Sequence, residues 1–392
     1  MGKKVNIVWI TTWYPHEGEP YVGDFIQRHA QAISAFVPLT VYSCHEHPTV
    51  NKIEIKKNGN LTEVTRYFKA LKTGIKKVDN IIYWIRWYWI LKRLLIKHKK
   101  EQGTPNLLHC HVTLNAGWLG LFAKRKWNVP FIVTEHWSGY LPEVTHNNYQ
   151  AYNGWSKKKF KKIIRQVEVV TAVSKRLIKA LRAIEPAGNF VRIANVVNEN
   201  IFNYRPNHST NSRPTFIHIS TLNEPKNAEG ILQAIALVKE EYPEVLLNIV
   251  GSISSAIADI IVRLNIENNI QWIAEMAQDK LAEQIRGADA LILFSRYETF
   301  GCVVIEANAV GVPVIVSDID SMKELVKDEF NGLLAEEGNA TSLAGKIKLI
   351  VEQKIKFNAE EISKATLSLF SYPIIGKQFF ELYTSVLEKA SK

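Results

Sequence analysis

Sulfur is scarce in this chain: 392 residues hold three cysteines and three methionines. Cys44, Cys110 and Cys302 are too few and too scattered for a disulfide framework or a zinc site. They read as small buried apolar residues, which suits a reducing compartment. Long apolar runs are missing too. The aromatic stretch 81–100 is broken by Arg86, Lys92, Arg93 and Lys97, and the uncharged stretch 102–123 carries Pro, Asn and His. No membrane span is therefore expected, and the protein reads as soluble or peripheral. After Lys3 and Lys4, the apolar run 5–10 is too short for a leader and reads as a first strand. Asn6 stands where a myristoylation signal needs Ser or Thr. With 14 prolines, 20 glycines and no tandem repeat, collagen-like and low-complexity classes are excluded.

Acidic residues are scarce in one half only. Residues 1–200 hold 31 Lys+Arg against 13 Asp+Glu, a net of +18, whereas residues 201–392 hold 18 against 25, a net of −7. A half at +18 calls for an anionic partner or surface; a half at −7 does not.

Short apolar runs alternate with helical patterns throughout. Strands are expected at 5–11, 38–44, 107–111, 130–135 and 167–173, the last followed by a helix at 175–184 capped by Ser174. The second half repeats the grammar, with strands at 215–220, 245–250, 270–273, 290–294 and 313–317 and helices between them. Continuous apolar strands alternating with helices predict α/β architecture: two doubly wound, parallel-sheet, Rossmann-like domains. The pattern lapses across 198–214, so the domains are placed at 1–198 and 199–371. The tail 372–392 carries a helical pattern and can pack on either domain.

The chemistry concentrates in a loop after the strand at 290–294. Glu298 stands at the carboxyl end of that strand, where open α/β sheets bind ligands. Glu306 lies about two turns into the next helix. The first helical N–H groups, around Thr299 to Val303, can hold an anionic oxygen, and Gly301 permits close backbone approach. Such a loop suits a sugar diphosphate. By themselves, Glu298 and Glu306 read more readily as a surface loop acid and an ordinary helix residue.

Ser295 to Val312 (SRYETFGCVVIEANAVGV) and the following PVIVS resemble the signature of retaining glycosyltransferase family 4, whose fold is called GT-B: two Rossmann-like domains facing a central cleft. The resemblance runs in order along nearly the whole chain, through STLNEPKN at 220–227, NIVG at 248–251, GADA at 287–290, ELV at 324–326, NGL at 331–333, TAVS at 171–174 and IAN at 193–195. The tail from Phe370 resembles the family's helix that crosses back onto the N-terminal domain. It implies that Lys226 neutralises the donor diphosphate, that Glu306 accepts hydrogen bonds from the ribose, and that Glu298, Thr299 and the Phe300/Gly301 backbone hold the donor sugar. Gly251 ends the neighbouring strand on the same donor side. The family usually has Arg at the position of Thr221, which offers a hydroxyl and no charge. The resemblance implies no metal and no cofactor beyond the nucleotide sugar.

In the N-terminal half, Gly23 and Asp24 open a helix after the first strand and resemble the family's glycine loop, which faces the diphosphate; Asp24 also reads as a helix cap. The loop is not GxGxxG, so a nicotinamide reading gets little support. His109, His111 and His136 end neighbouring strands without the further ligands zinc needs. The resemblance assigns His136 a hydrogen bond to a donor hydroxyl near the anomeric carbon and sets His111 on the acceptor side. Asp318-Ile319-Asp320 spells the DxD that holds a metal in other glycosyltransferases, but here an aspartate cap of the next helix is the better reading.

On a helical wheel, residues 81–100 set Arg86, Arg93, Lys97 and Lys100 opposite Trp84, Trp87, Tyr88, Leu91 and Leu95. A second basic run covers 157–162. Two readings stay open. In one, 76–100 and 157–162 dock on an anionic membrane; in the other, the aromatic face packs on the sheet beneath a solvated cationic face. Nucleic acid is not expected as a partner, because it would leave Lys226 and the glutamate loop unexplained. The expectation is a retaining glycosyltransferase that uses a nucleotide sugar and a glycan or glycolipid acceptor. It would be cytoplasmic and, on the docking reading, peripheral at the inner face of a membrane, and domain closure would assemble its site. An epimerase or glycan phosphorylase of the same fold, and a non-catalytic basic binding protein, are the alternatives.

Overall fold

The computed structural model describes residues 5–206 and 213–390. The basic start at Lys3 and Lys4, the middle of the expected linker and the last two residues of the tail lie outside the described residues. The chain forms two compact units, one made of the residues up to Val196 with those from Tyr372 onward, the other of Val197–Ser371.

Unit 1 is built on eight strands: β1 (Ile7–Thr11), β2 (Leu39–His47), β3 (Lys52–Asn58), β4 (Leu61–Lys69), β5 (Leu107–His111), β6 (Phe131–Glu135), β7 (Val169–Ala172) and β8 (Phe190–Arg192). Their order is 3-4-2-1-5-6-7-8, parallel except for the β3–β4 hairpin. From β1 the chain winds first to β2 and later, from β4, to β5 on β1's other side. Right-handed crossovers in these opposed directions put helices on both faces. β1 and β5 are fully buried, as continuous apolar runs between two helical layers must be. The helix Lys175–Ile184 starts as the sequence predicts, with Ser174 Oγ accepting from Leu177 N at 3.1 Å.

The tail helix, Tyr372–Ala390, belongs to this unit. Gly376 lets it approach the Asp24–Ser34 helix closely: a Cβ there would stand 2.5 Å from Ala32 O. Phe379, Tyr383 and Val386 face the core.

Unit 2 is a six-stranded parallel sheet: β9 (Thr215–Ile219), β10 (Leu246–Val250), β11 (Ile270–Ile273), β12 (Ala290–Leu293), β13 (Val314–Ser317) and β14 (Gly332–Ala335), in the order 11-10-9-12-13-14. Its winding reverses at β9, between β10 and β12. Phe216, Leu247, Ile292, Ile315 and Leu333 from five of the strands join Ile235, Val238 and Ile347 from helices in one core. Among the described residues no helix is long and apolar enough to cross a membrane.

Candidate functional site

In unit 2 the residues singled out from the sequence converge at the carboxyl ends of β9 and β12, beside the switch point where doubly wound sheets bind ligands. The loop after β9 is held by an ordered chain. His218 Nδ1 meets Ile292 O at 2.8 Å, and its Nε2 meets Ser220 Oγ at 2.7 Å. Burial, the largest cause, lowers this imidazole to about 4, so it is neutral at pH 7. With Nδ1–H donating to the carbonyl, Nε2 accepts from the Ser220 hydroxyl, whose oxygen accepts from Leu222 N at 3.0 Å. Leu222 and Asn227 take left-handed backbone angles, φ 50° and 49°, which fold 222–227 into a tight turn.

That turn is tied to the glutamate loop. Arg296 N donates to Pro225 O at 2.8 Å, and Arg296 Nη2 to Asn227 Oδ1 at 3.1 Å. Lys226 Nζ is ion-paired with Glu298 Oε1, which also accepts from Ser295 Oγ at 2.8 Å. The pair is mostly buried, with side-chain exposures of 24% for the lysine and 10% for the glutamate.

Gly251, at the end of β10, has φ 146°, and a Cβ there would lie 2.1 Å from Ser220 O; only glycine lets the two strand ends pass. Gly301, φ 94°, is the N-cap of the helix Cys302–Ala309 and puts no side chain over its first turn. Phe300 is buried against Phe370, so only its backbone can meet a ligand. Thr299 is half-buried and Thr221 is exposed, while Glu306 is buried within the helix. Asp318 is not a cap: it pairs with Lys323 at 2.8 Å, and the N-cap position of the helix Asp320–Lys323 falls on Ile319, with Asp320 inside the first turn.

In unit 1 the second cluster lies at the carboxyl ends of β5 and β6. The rings of His109 and His111 stack at 4.3 Å, and those of His111 and His136 at 5.6 Å with 10° between planes. His111 Nδ1 lies 3.3 Å from His136 Nε2, so one donates to the other. Burial drives both well below the usual imidazole range, so the pair is neutral. His111, expected on the acceptor side, is fully buried beside His136. His136 is 6% exposed. His136 Nδ1, His111 Nε2, His29 Nδ1 and Thr113 Oγ1 are buried without a hydrogen-bond partner. Such orphaned polar atoms mark places a polar ligand can satisfy.

Two features here escaped the sequence reading. Val112 has φ 75°, rare for a β-branched residue, and begins a π-helical turn, Val112–Ala116. Buried Glu135 holds that turn by accepting from Thr113 N at 2.7 Å and Tyr140 Oη at 2.9 Å. The visible signal was a carboxylate next to the chosen histidine at a strand end. At the same edge of the sheet, after β1, Gly23 is required by its φ of 68° and by Trp13 C, 2.6 Å from any Cβ, and Phe25 of the helix it opens lies 4.8 Å from the His136 ring. Gly23 is itself the N-cap, and Asp24 instead pairs with Arg28 within the first turn. Among the described residues no group of three or more His, Cys, Asp or Glu is placed to hold a metal ion.

Fold and sites define a two-unit Rossmann-like protein with an ion-paired anion pole in one unit and a neutral histidine pole in the other. Comparison with known proteins gives the class its family. Residues 200–366 match the family model for glycosyl transferases group 1, and residues 75–200 match glycosyltransferase family 4. The chain is 28% identical over 235 residues to N-acetyl-alpha-D-glucosaminyl L-malate synthase of Bacillus anthracis, a match that covers 57% of this chain and 61% of that one. It is 23% identical over 319 residues to D-inositol 3-phosphate glycosyltransferase of Thermobispora bispora, covering 74% and 73%. In structure it resembles sucrose-phosphate synthase of Thermosynechococcus elongatus (TM-score 0.80, 18% identity, 98% of this chain and 100% of that one). It also resembles HepE of Anabaena, solved with UDP-glucose (TM-score 0.70, 17% identity, 97% and 100%). The chain is a glycosyltransferase of the family 4 type, with the GT-B fold.

Proposed function

We propose that the protein moves a sugar from a nucleotide diphosphate sugar to a hydroxyl of a glycan or lipid-linked glycan, with retention at the anomeric carbon, in making a surface polysaccharide or glycolipid. The observation that carries the donor half is the Lys226–Glu298 pair at the β9/β12 switch point, next to an uncapped helix start. A diphosphate meets the Lys226 point charge and the positive pole of the Cys302–Ala309 helix. Glu298, released from the lysine, accepts from hydroxyls of the sugar, along the backbone of Thr299, Phe300 and Gly301. Glu306 takes the ribose, and Thr221 adds a hydroxyl. HepE, solved with UDP and with UDP-glucose, supports a nucleotide sugar as donor.

His136 is the proposed partner of a donor hydroxyl near the anomeric carbon, with His111 fixing its ring. In the transfer the acceptor oxygen bonds to the anomeric carbon on the face from which the diphosphate oxygen leaves. The acceptor's proton passes to that departing oxygen, so no enzyme nucleophile, metal or other cofactor is invoked. Positioning and stabilisation of the leaving charge supply most of the rate. A lipid-borne acceptor would keep a cytoplasmic enzyme at the inner face of a membrane.

The test is turnover with nucleotide sugars and glycan acceptors, the product's anomeric configuration being read by NMR. Retention is expected; inversion contradicts the mechanism. Lys226→Ala and Glu306→Ala should each lower turnover by about 100-fold or more, and near-normal turnover in both would remove the site assignment.

A further inference from the structure

Residues 51–100 hold 14 Lys+Arg against three Asp+Glu, a net of +11, equal to the net charge of the whole chain. The three acids are engaged elsewhere. Glu63 accepts from Tyr14 and Gln27, Glu54 from Tyr67, and Asp79 from Thr73. The same stretch gathers nine of the nineteen large hydrophobic side chains exposed among the described residues.

The helix Lys76–Gln102 explains the coincidence. It buries one narrow line, Trp87, Leu91 and Leu95, against the sheet. A second apolar line, Val78, Ile81, Ile85, Trp89 and Ile96, runs along it at helical spacing and is exposed: Ile81 is 60% exposed, Ile85 54% and Trp89 50%. This is neither the cationic nor the aromatic face that the helical wheel picks out. At the sheet edge, Ile53 and Ile55 of β3 stand opposite Arg66 and Val64 of β4 and so share their face. Between edge and helix lies a groove of about 550 Å³ lined by Arg66, Phe68, Ile85, Arg86, Trp89 and Arg93 among others, with no carboxylate. Arg86 is fixed, donating to Lys69 O at 2.7 Å over the Phe68 ring. Arg66 and Arg93 have no ion-pair partner among the described residues.

We propose that this edge of unit 1 docks on an anionic lipid bilayer, with Ile81, Ile85 and Trp89 entering the interface and Arg66 and Arg93 meeting lipid phosphates. Exposed isoleucine and tryptophan in a line, flanked by unpaired guanidinium groups, form the amphipathic geometry of an interfacial helix. The cations exclude burial against a neutral apolar partner, because each would lose its hydration without a counter-charge. The inference is independent of the donor site in unit 2.

Flotation of the full chain with phosphatidylcholine vesicles, with and without phosphatidylglycerol, tests it. The protein should float with the anionic vesicles, less so at high salt, and stay down with the neutral ones. Arg66→Gln with Arg93→Gln should weaken binding about 30-fold. Ile81→Ser, Ile85→Ser and Trp89→Ser together should abolish it, while the melting temperature and its rise on adding nucleotide stay unchanged, which certifies the fold. Equal flotation with both vesicle types, or unchanged binding by the triple variant, would overturn the proposal. So would a wild-type dimer that the triple variant dissolves, which would give this face to a second copy of the chain.

Discussion

Lys226 and Glu298, 72 positions apart in the chain, form an ion pair at the head of the unit 2 sheet. A diphosphate competes with Glu298 for the same ammonium group. Removing the lysine and neutralising its partner should therefore act in opposite directions. Lys226→Ala is expected to weaken nucleoside diphosphate binding by about 10- to 100-fold, the worth of a charge-assisted contact. Glu298→Gln should tighten it several-fold while lowering transfer. Titration calorimetry beside steady-state turnover checks both, and weaker binding in Glu298→Gln would contradict the competition.

Gly251→Ala should be severe despite adding one carbon. The Cβ collides with Ser220 O, and φ 146° is closed to alanine. A loss of about 2–4 kcal/mol is expected, with the loop after β9 displaced and nucleotide binding reduced in step. Thermal unfolding with and without nucleotide measures both.

Tyr383→Phe reports on the tail helix. The Tyr383 hydroxyl accepts from Trp9 Nε1 at 3.0 Å and donates to His109 Nδ1 at 2.8 Å; His109 Nε2–H then donates to Thr134 Oγ1 at 2.6 Å. Losing the hydroxyl orphans two buried groups at a cost of about 1–3 kcal/mol. A melting temperature within a degree of wild type would show that the chain does not depend on it.

Acid should destabilise the protein in a definite window. Burial holds His29 down at about 4 and His109, His111 and His136 well below 6.5, and His218 in unit 2 lies at about 4. Once unfolded, each takes up a proton near 6.5. The unfolded chain thus binds more protons below that pH, and stability is lost as pH falls from about 6.5. Buried Glu135, its carboxyl raised chiefly by burial, works in the opposite sense but is one group against five. Melting temperatures between pH 7.5 and 5 check the sign, and a rise toward acid would contradict it.

The sheets were legible because buried parallel strands are continuous apolar runs: β12 and β13 fall within the residues expected of them. The β3–β4 hairpin was not. Its edge strand, KIEIKKN, buries almost nothing and so carries no apolar run, although Gly59-Asn60 marks the turn. The last strand, Gly332–Ala335, opens on a glycine and offers only Leu333 and Leu334 as large apolar residues, too little to stand out. Motif order singled out residues of unit 2 that lie together at the strand ends, but the Lys226–Glu298 contact was not readable, since loop ends meet only when β9 and β12 pair. Nor could the surroundings of His111 be read: whether a strand-end histidine faces solvent or a neighbouring ring depends on how the pairing of β5 with β6 sets His136 beside it. For the helix Lys76–Gln102, the wheel separated cations from aromatics, but only packing decides which apolar line the sheet covers.

The most direct test of the central claim, a nucleotide sugar held at the Lys226–Glu298 pole of unit 2, is a thermal shift panel of UDP, GDP, ADP and their sugars on wild type and Lys226→Ala. A bound ligand at about 100 times its Kd stabilises by about 2.7 kcal/mol. At least one nucleotide and its sugar should therefore raise the wild-type melting temperature and leave Lys226→Ala nearly unmoved. No shift with any of them, or equal shifts in both proteins, would contradict the account.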